Sequence, residues 1–393
     1  MGGSKLDRSL PPLAVMAFLG VLSGVVFLHL ATYGDNSVTL IYWHASRDFL
    51  SSRPLYTGIQ GYSYWPQSAA LTLPFTMISW PLNDLLWRLL GLLLLAAGLW
   101  RVLPRETPAL AFGVLVLLPG LFSVLLNGQA EPHMLGLLIL GTAAADRDRP
   151  WAGGFALALA FWVKPIALAP LLLLFALRPA LRLPIAAWTL ALGLALASSA
   201  GDPVYGLTAF WDGVQHIAAG ADPAWGRWSD IGGLLSTLGW RPVGWESLLP
   251  RAVLALATLA LAAHLLPRWP QDRRALCLLW LGLLWLVLFN PRTESGSYAL
   301  LAVVLAWLAA WAWHDRRGRE AGFLLLLGAL LGVENYGDPL LRATDLWFKP
   351  ALTLLILPYL LWRLARPAET RPAETRPAET GPAETRPAET RPA

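Results

Sequence analysis

The sequence predicts an all-α integral membrane protein, a bundle of about 12 transmembrane helices with short amphipathic helices in its first outer loop. Three observations predict it. Of 393 residues, 56% are hydrophobic and only 14% are Asp, Glu, Lys or Arg, against about a quarter in soluble domains. Runs such as LLWRLLGLLLLAAGLW, ALAFGVLVLLPGLF, AAWTLALGLALASSA and AVLALATLALAAHLL are apolar around the whole helix and offer no face to water. The basic residues sit in short clusters between those runs. Despite a formal net charge of +5, that is the pattern of membrane topology and not of nucleic-acid binding.

Breaks at charge clusters and Pro/Gly turns place the spans near 11–32, 83–100, 109–126, 131–145, 153–164, 166–178, 183–200, 250–267, 275–289, 299–314, 321–333 and 347–364. The first follows a basic segment, residues 1–10. It is too long for a signal peptide and no small-residue cleavage site follows it, so it reads as a retained span. Residues 66–80, PQSAALTLPFTMISW, are short and broken by Pro74; they read as a re-entrant or tilted piece completing one crossing with 83–100. The membrane domain then covers 11–365. Residues 366–393 repeat a Pro-Ala-Glu-Thr unit, whose proline content and balanced charge preclude a packed core, so a disordered tail is expected.

Lys5/Arg8, Arg101/Arg105, Arg147/Arg149, Arg178/Arg182, Arg268/Arg273/Arg274, Arg316/Arg317/Arg319 and Arg363/Arg366 all fall on one side if these spans alternate. The positive-inside rule makes that side cytoplasmic. The expectation is a multi-pass protein of the cell membrane with both termini in the cytoplasm. The outer side collects a loop near 33–65, the turn from Asn127 to Glu131, a loop near 201–249, the turn from Asn290 to Ser297 and a segment near 334–346. Trp43, Trp65, Trp225, Trp228 and Trp245 lie there and read either as interfacial anchors or as aromatic platforms for sugars.

Scarce polar residues stand out against this background. Lys164 precedes Pro165 at a helix break; a lysine at such a site either snorkels to the interface or meets an anion such as phosphate. Asn127-Gly128-Gln129, with Glu131 and His133, closes one span and opens the next. Asn and Gly are ordinary helix stops, whereas Gln129, Glu131 and His133 are groups suited to sugar hydroxyls or a phosphorylated head group. In the first outer loop, LIYWHASRDFL reads as an amphipathic helix on which His44 and Asp48 share a face at i, i+4. Asp35 and Asp48 are that loop's carboxylates, either of which can take a proton from an acceptor hydroxyl. The bland reading of Asp48 is an ion pair with Arg47 or a helix cap. The single cysteine, Cys277, excludes an intrachain disulfide and a Cys-based zinc site. There is no HExxH, no Walker A sequence and no GxGxxG after a strand, so ATP hydrolysis and dinucleotide redox chemistry have no support and no metal or cofactor is expected.

Taken in order, a first span, an outer loop with Asp, YW-x-A, PLY and Y-x-W-P around Tyr64, then NGQ, a span ending in KP and the GDPVYGLTAFWDGV loop resemble glycosyltransferase family 87. The resemblance covers most of residues 10–345. It implies a GT-C-like membrane bundle, metal-independent and acting on the outer side. It also implies a polyprenyl-phosphate-linked hexose donor, with mannose as the expected sugar, a glycolipid or glycan acceptor and membrane lipids as partners. Asp35 best matches the family's base, with Asp48 as rival, although Val38 stands where family sequences carry the aspartate. Lys164 and Arg292 are expected at the donor phosphate. His44, Tyr64, Gln129, Glu131 and Glu294 are expected at the sugar or acceptor. Where some members carry a histidine-containing SP-x-SW-x-HH segment, this chain has NPRTESGSYALL, offering the charges of Arg292 and Glu294 without an imidazole. The rival readings are a transporter or flippase of lipid-linked sugars, expected to show internal repeats, and a catalytically inactive family member.

Overall fold

Proline sets where these helices begin. It occupies the first turn of α2 (Pro66–Thr72), α4 (Thr107–Leu126), α5 (Glu131–Ala145), α6 (Pro150–Val163) and α8 (Pro179–Ala197), where its missing N–H would have had no intrahelical partner. The computed structural model describes residues 37–57, 61–220 and 228–366, and every regular element within them is helical. The expected first span, Asp35, Trp225 and the C-terminal repeat lie outside the described residues. The remaining helices are α1 (Thr39–Leu50), α3 (Leu82–Val102), α7 (Leu168–Leu177), α9 (Pro203–Gly220), α10 (Ile231–Thr237), α11 (Trp245–Leu265), α12 (Arg274–Phe289), α13 (Ala299–His314), α14 (Gly318–Leu331), α15 (Asp338–Thr344) and α16 (Phe348–Ala365).

Among the described residues, six segments are long and apolar enough to cross a membrane: Leu82–Val102, Thr107–Leu126, Pro179–Ala197, Trp245–Arg268, Ser295–His314 and Phe348–Ala365. The expected spans at 131–145, 153–164, 166–178, 275–289 and 321–333 are also helices, but α7 has 10 residues and α12, the longest of the five, has 16. Prolines and charged turns cut them below the ~20 residues of a perpendicular crossing. Residues 66–80 form α2 and a 3₁₀ turn, Leu73–Met77, ahead of α3. The amphipathic helix expected in the first outer loop is α1, which buries Tyr42, Trp43, Ser46 and Phe49 on one face. Trp43 and Trp65 are core residues and not interfacial anchors: Trp43 stacks on Phe75 and Trp65 on Phe210.

Helix α13 is the centre, with most of its residues fully buried between α4, α12 and α14. A second row runs α3, α5, α6, α8. There α3 and α5 touch backbone to backbone, because a Cβ at Gly136 would lie 2.3 Å from the Leu94 carbonyl carbon; small residues permit such approach where lipid tails give no hydrophobic drive. The outermost long helix, α11, is only 11% buried across its membrane window.

Hydrogen bonds and ion pairs distinguish the bundle's two ends. At one, Arg147 Nη2 donates to the Arg101 carbonyl at 3.0 Å, His314 meets Glu106 at 3.0 Å, and Trp269 Nε1 donates to the Leu364 carbonyl. Asp146 ties the loops there together: its oxygens accept from the Ala275 and Leu276 N–H groups at 2.8 and 3.0 Å and face Arg178 at 3.5 Å. The arginine clusters of the described residues thus meet at one end.

Burial pushes the Asp146 carboxyl up to about 6, against the pull of those N–H groups and Arg178. A carboxyl whose folded value lies above its unfolded value of 3.8 binds more protons folded than unfolded. Its contribution therefore grows as pH falls from above 6 towards 3.8, by up to about 3 kcal/mol. In detergent, the unaltered protein should gain chemical-denaturation stability between these values and Asp146→Asn should flatten that rise; the same pH dependence in both proteins would refute it.

Candidate functional site

The opposite end is built on two helix breaks. α6 cannot continue through Pro165, and the residue before a proline is driven out of helical geometry. Lys164 accordingly sits extended at φ −149° and ψ 127° with its side chain turned into the bundle, 9% exposed. Its Nζ pairs with Oε1 of Glu131, a first-turn residue of α5 that is wholly buried. Ser297 Oγ approaches the same oxygen at 3.5 Å. The lysine therefore meets an anion from its own chain and does not snorkel.

The second break is Asn127-Gly128-Gln129. Gly128 adopts φ +67°, and a Cβ there would fall 2.7 Å from Thr39 Cγ2, so both conformation and contact call for glycine. The turn delivers Gln129, whose Nε2 donates to Glu294 Oε2 at 3.1 Å. Above this group, the Lys164 ammonium lies 5.6 Å from the Tyr64 ring centroid, and the Tyr64 and Tyr42 hydroxyls are 2.7 Å apart. Burial first, then Glu131 and Glu294, pushes the Tyr64 phenol well above its ordinary range. It is a neutral donor and acceptor at physiological pH.

Arg292 follows Asn290-Pro291 beyond the end of α12. Its guanidinium lies 5.1 Å from the Trp228 ring and packs against Gly220, where a Cβ would be 2.5 Å from Nη1. That Nη1 is buried without a hydrogen-bond partner among the described residues. Nearby on α9, burial and then the Arg292 charge hold His216 below its usual range; its ring stacks on Tyr56.

Of the residues expected at the site, Tyr64, Gln129, Glu131, Lys164, Arg292 and Glu294 meet at this end. His44 and Asp48 do not join them by any hydrogen bond or ion pair among the described residues. His44 is exposed on α1, on the face away from buried Tyr42, and Asp48 faces Arg53 at 4.0 Å, not Arg47. Asp35 lies outside the described residues.

Two clusters escaped sequence reasoning. Arg88 donates to Asp84 at 2.8 Å, to Ser37 Oγ at 2.8 Å and to the Leu126 carbonyl at 2.7 Å, stitching the start of α1 to α3 and the end of α4. Its signal was present, as an acid and a base at i, i+4 inside an apolar run. Glu334 meets Lys349 Nζ at 2.8 Å and accepts from Ser123 and Ser295; burial raises its carboxyl, but Lys349 and the serines hold it below its usual range. Lys349-Pro350 repeats the Lys164-Pro165 pattern. Among the described residues, no group of three or more His, Cys, Asp or Glu is placed to hold a metal ion.

The profile of glycosyltransferase family 87 matches residues 62–291, a stretch that contains Tyr64, Gln129, Glu131 and Lys164 and exceeds half of the chain. The chain belongs to glycosyltransferase family 87. No curated protein and no solved structure matches it. Membership makes it a membrane glycosyltransferase, with a sugar donor and an acceptor as its substrates. In this family 87 chain the matched segment ends one residue before Arg292, and Glu294 pairs back into it through Gln129.

Proposed function

We propose that this family 87 enzyme transfers a hexose, mannose in the first instance, from a polyprenyl monophosphate to an acceptor hydroxyl on the outer side of the membrane. The reaction is inverting and metal-independent. An aspartate carboxylate takes the acceptor's O–H proton as that oxygen attacks the anomeric carbon. The bond from that carbon to the phosphate oxygen breaks with its electron pair, and the phosphate leaves on the opposite face. Asp35 is the preferred base. The partial exposure of Asp48 and its pairing with Arg53 support that preference.

The observation carrying this reading is the free, buried Nη1 of Arg292 beside Trp228. A guanidinium held by packing, with a donor uncommitted, suits a phosphate that gains charge as it leaves. Lys164 is already neutralised by Glu131, so its part is to hold the local field while Arg292 makes the direct phosphate contact. Glu131 Oε2 and Gln129 Oε1, unpartnered among the described residues, would take sugar or acceptor hydroxyls alongside Tyr64 and Glu294.

Arg292→Ala should lower kcat about 10²-fold in liposomes supplied with radiolabelled polyprenyl-phosphate mannose, with Arg292→Lys recovering part of the loss because it restores charge without the fork. Equal activity in Arg292→Ala and the unaltered enzyme would remove Arg292 from the reaction.

A further inference from the structure

Helix α9 turns one face to the site. Gly213, His216 and Gly220, at i, i+3 and i+7, share that face. A Cβ at Gly213 would lie 2.6 Å from the Tyr56 hydroxyl oxygen, and one at Gly220 2.5 Å from Arg292 Nη1, so the two glycines let α9 close against both groups. Tyr56 in turn donates to the Tyr64 carbonyl at 2.7 Å. Between these two contacts stands His216, half-buried, its ring stacked on Tyr56 with centroids 4.9 Å apart. The imidazole is thus held between Arg292 and the segment that carries Tyr64.

Its two nitrogens differ. Nε2 lies 3.5 Å from Ser63 Oγ, whose own proton goes to the Gly61 carbonyl at 3.3 Å, so Nε2–H is the donor in that contact and Nδ1 keeps its lone pair. Nδ1 has no hydrogen-bond partner among the described residues and, unlike both ring nitrogens of His133, is not sealed in the interior. The charged and titratable groups around the ring, among the described residues, are Arg292, Tyr56 and, one turn back on α9, the exposed Asp212. Burial keeps the Tyr56 phenol neutral; burial and then the Arg292 charge keep the imidazole neutral. An anion settling beside Arg292 cancels that repulsion and favours a proton on Nδ1, which turns an acceptor into a donor.

We propose that His216 is a second ligand of the donor phosphate: it takes up a proton at Nδ1 as the phosphate settles on Arg292, and donates it in a hydrogen bond to a non-bridging phosphate oxygen. The inference rests on the lipid-phosphate donor proposed above. A sugar–lipid phosphodiester keeps one negative charge across about pH 5–8, where an imidazole titrates, so the proton comes from solvent and not from the ligand. When the bond to the anomeric carbon breaks, its electron pair stays on the phosphate, whose charge rises to between about −1.5 and −2. The hydrogen bond from Nδ1 strengthens while its proton stays on nitrogen. Since binding favours the protonated ring, donor affinity is highest at low pH and falls as pH rises through the titration of the bound imidazole.

The test uses the full chain in detergent and a short-chain prenyl-phosphate mannose, its binding followed by calorimetry in two buffers of different protonation enthalpy. The unaltered protein is expected to take up a large fraction of one proton on binding near neutral pH. His216→Phe, which keeps the stack on Tyr56 but has no nitrogen, should take up none. Its affinity at acid pH should be about ten-fold lower, the size of one lost hydrogen bond to a charged partner, and should not change with pH, whereas that of the unaltered protein weakens about ten-fold from acid to alkaline conditions. His216→Gln, which can donate but not titrate, should recover part of the affinity with a flat pH profile, and carries the test if His216→Phe does not fold. Equal proton uptake in the unaltered protein and in either variant, or unchanged affinity in His216→Phe, would overturn the inference while leaving the lipid donor standing. Failure of the unaltered protein to bind the prenyl-phosphate sugar would refute both. Proton uptake that depends on His216 in a protein that transfers no sugar would uphold the phosphate ligand and refute the reaction.

Discussion

Asp35→Ala, reconstituted in liposomes with a polyprenyl-phosphate hexose, is expected to lose transfer by about 10²-fold to 10⁴-fold, the contribution of a positioned general base. Asp48→Ala should turn over near the unaltered rate. The contrast follows from where Asp48 stands. Asp48 occupies the more exposed side of α1, with its side chain 39% exposed and, among the described residues, only Arg53, at 4.0 Å, as ion-pair partner. The opposite face of α1 is buried through Tyr42, which reaches the cluster through Tyr64. An inactive Asp48→Ala beside an active Asp35→Ala would exchange the two roles.

The second large effect belongs to the Lys164–Glu131 pair. Glu131→Ala leaves an ammonium buried with its counter-charge gone, and breaking a buried pair in this way costs about 3–5 kcal/mol. In a thermal-unfolding series in detergent, Glu131→Ala and Lys164→Met should each be strongly destabilised, and the double variant should recover most of that loss, since no charge is then left unpaired. Activity should stay low in all three. Additive destabilisation in the double variant would show that the pair contributes no coupling and that each side chain acts through packing alone.

What was legible in the sequence was mostly local. Lys164 stood out because a cation before a proline in an apolar run has few inexpensive places to go. Gly128 announced a turn, and the charge clusters announced an end of the bundle that Arg147, His314 and Asp146 then knit together. Partnerships across the chain were not legible. Glu131 and Lys164 are 33 residues apart, and Gln129 and Glu294 are 165; nothing in periodicity pairs such positions, which only packing brings together. The aromatic residues misled for a related reason. Trp43 and Trp65 have the composition of interfacial anchors, yet both fill the space between the first outer helices and the bundle. Asp84 and Arg88 were the readable signal that went unread, an i, i+4 ion pair within α3.

Helix lengths were the least legible feature. A run of Leu and Ala does not say where its proline or turn will divide it. Among the described residues, the five short helices coincide with expected spans, while the six long ones meet the length of a crossing on their own.

The most direct measurement is transfer by the purified protein in liposomes, offered a hexose labelled either on polyprenyl phosphate or on a nucleoside diphosphate, with the anomeric configuration of the product determined by NMR. The account predicts label in the acceptor from the lipid donor alone, with inverted configuration. Transfer from the nucleotide donor in preference to the lipid, or retention of configuration, would contradict it.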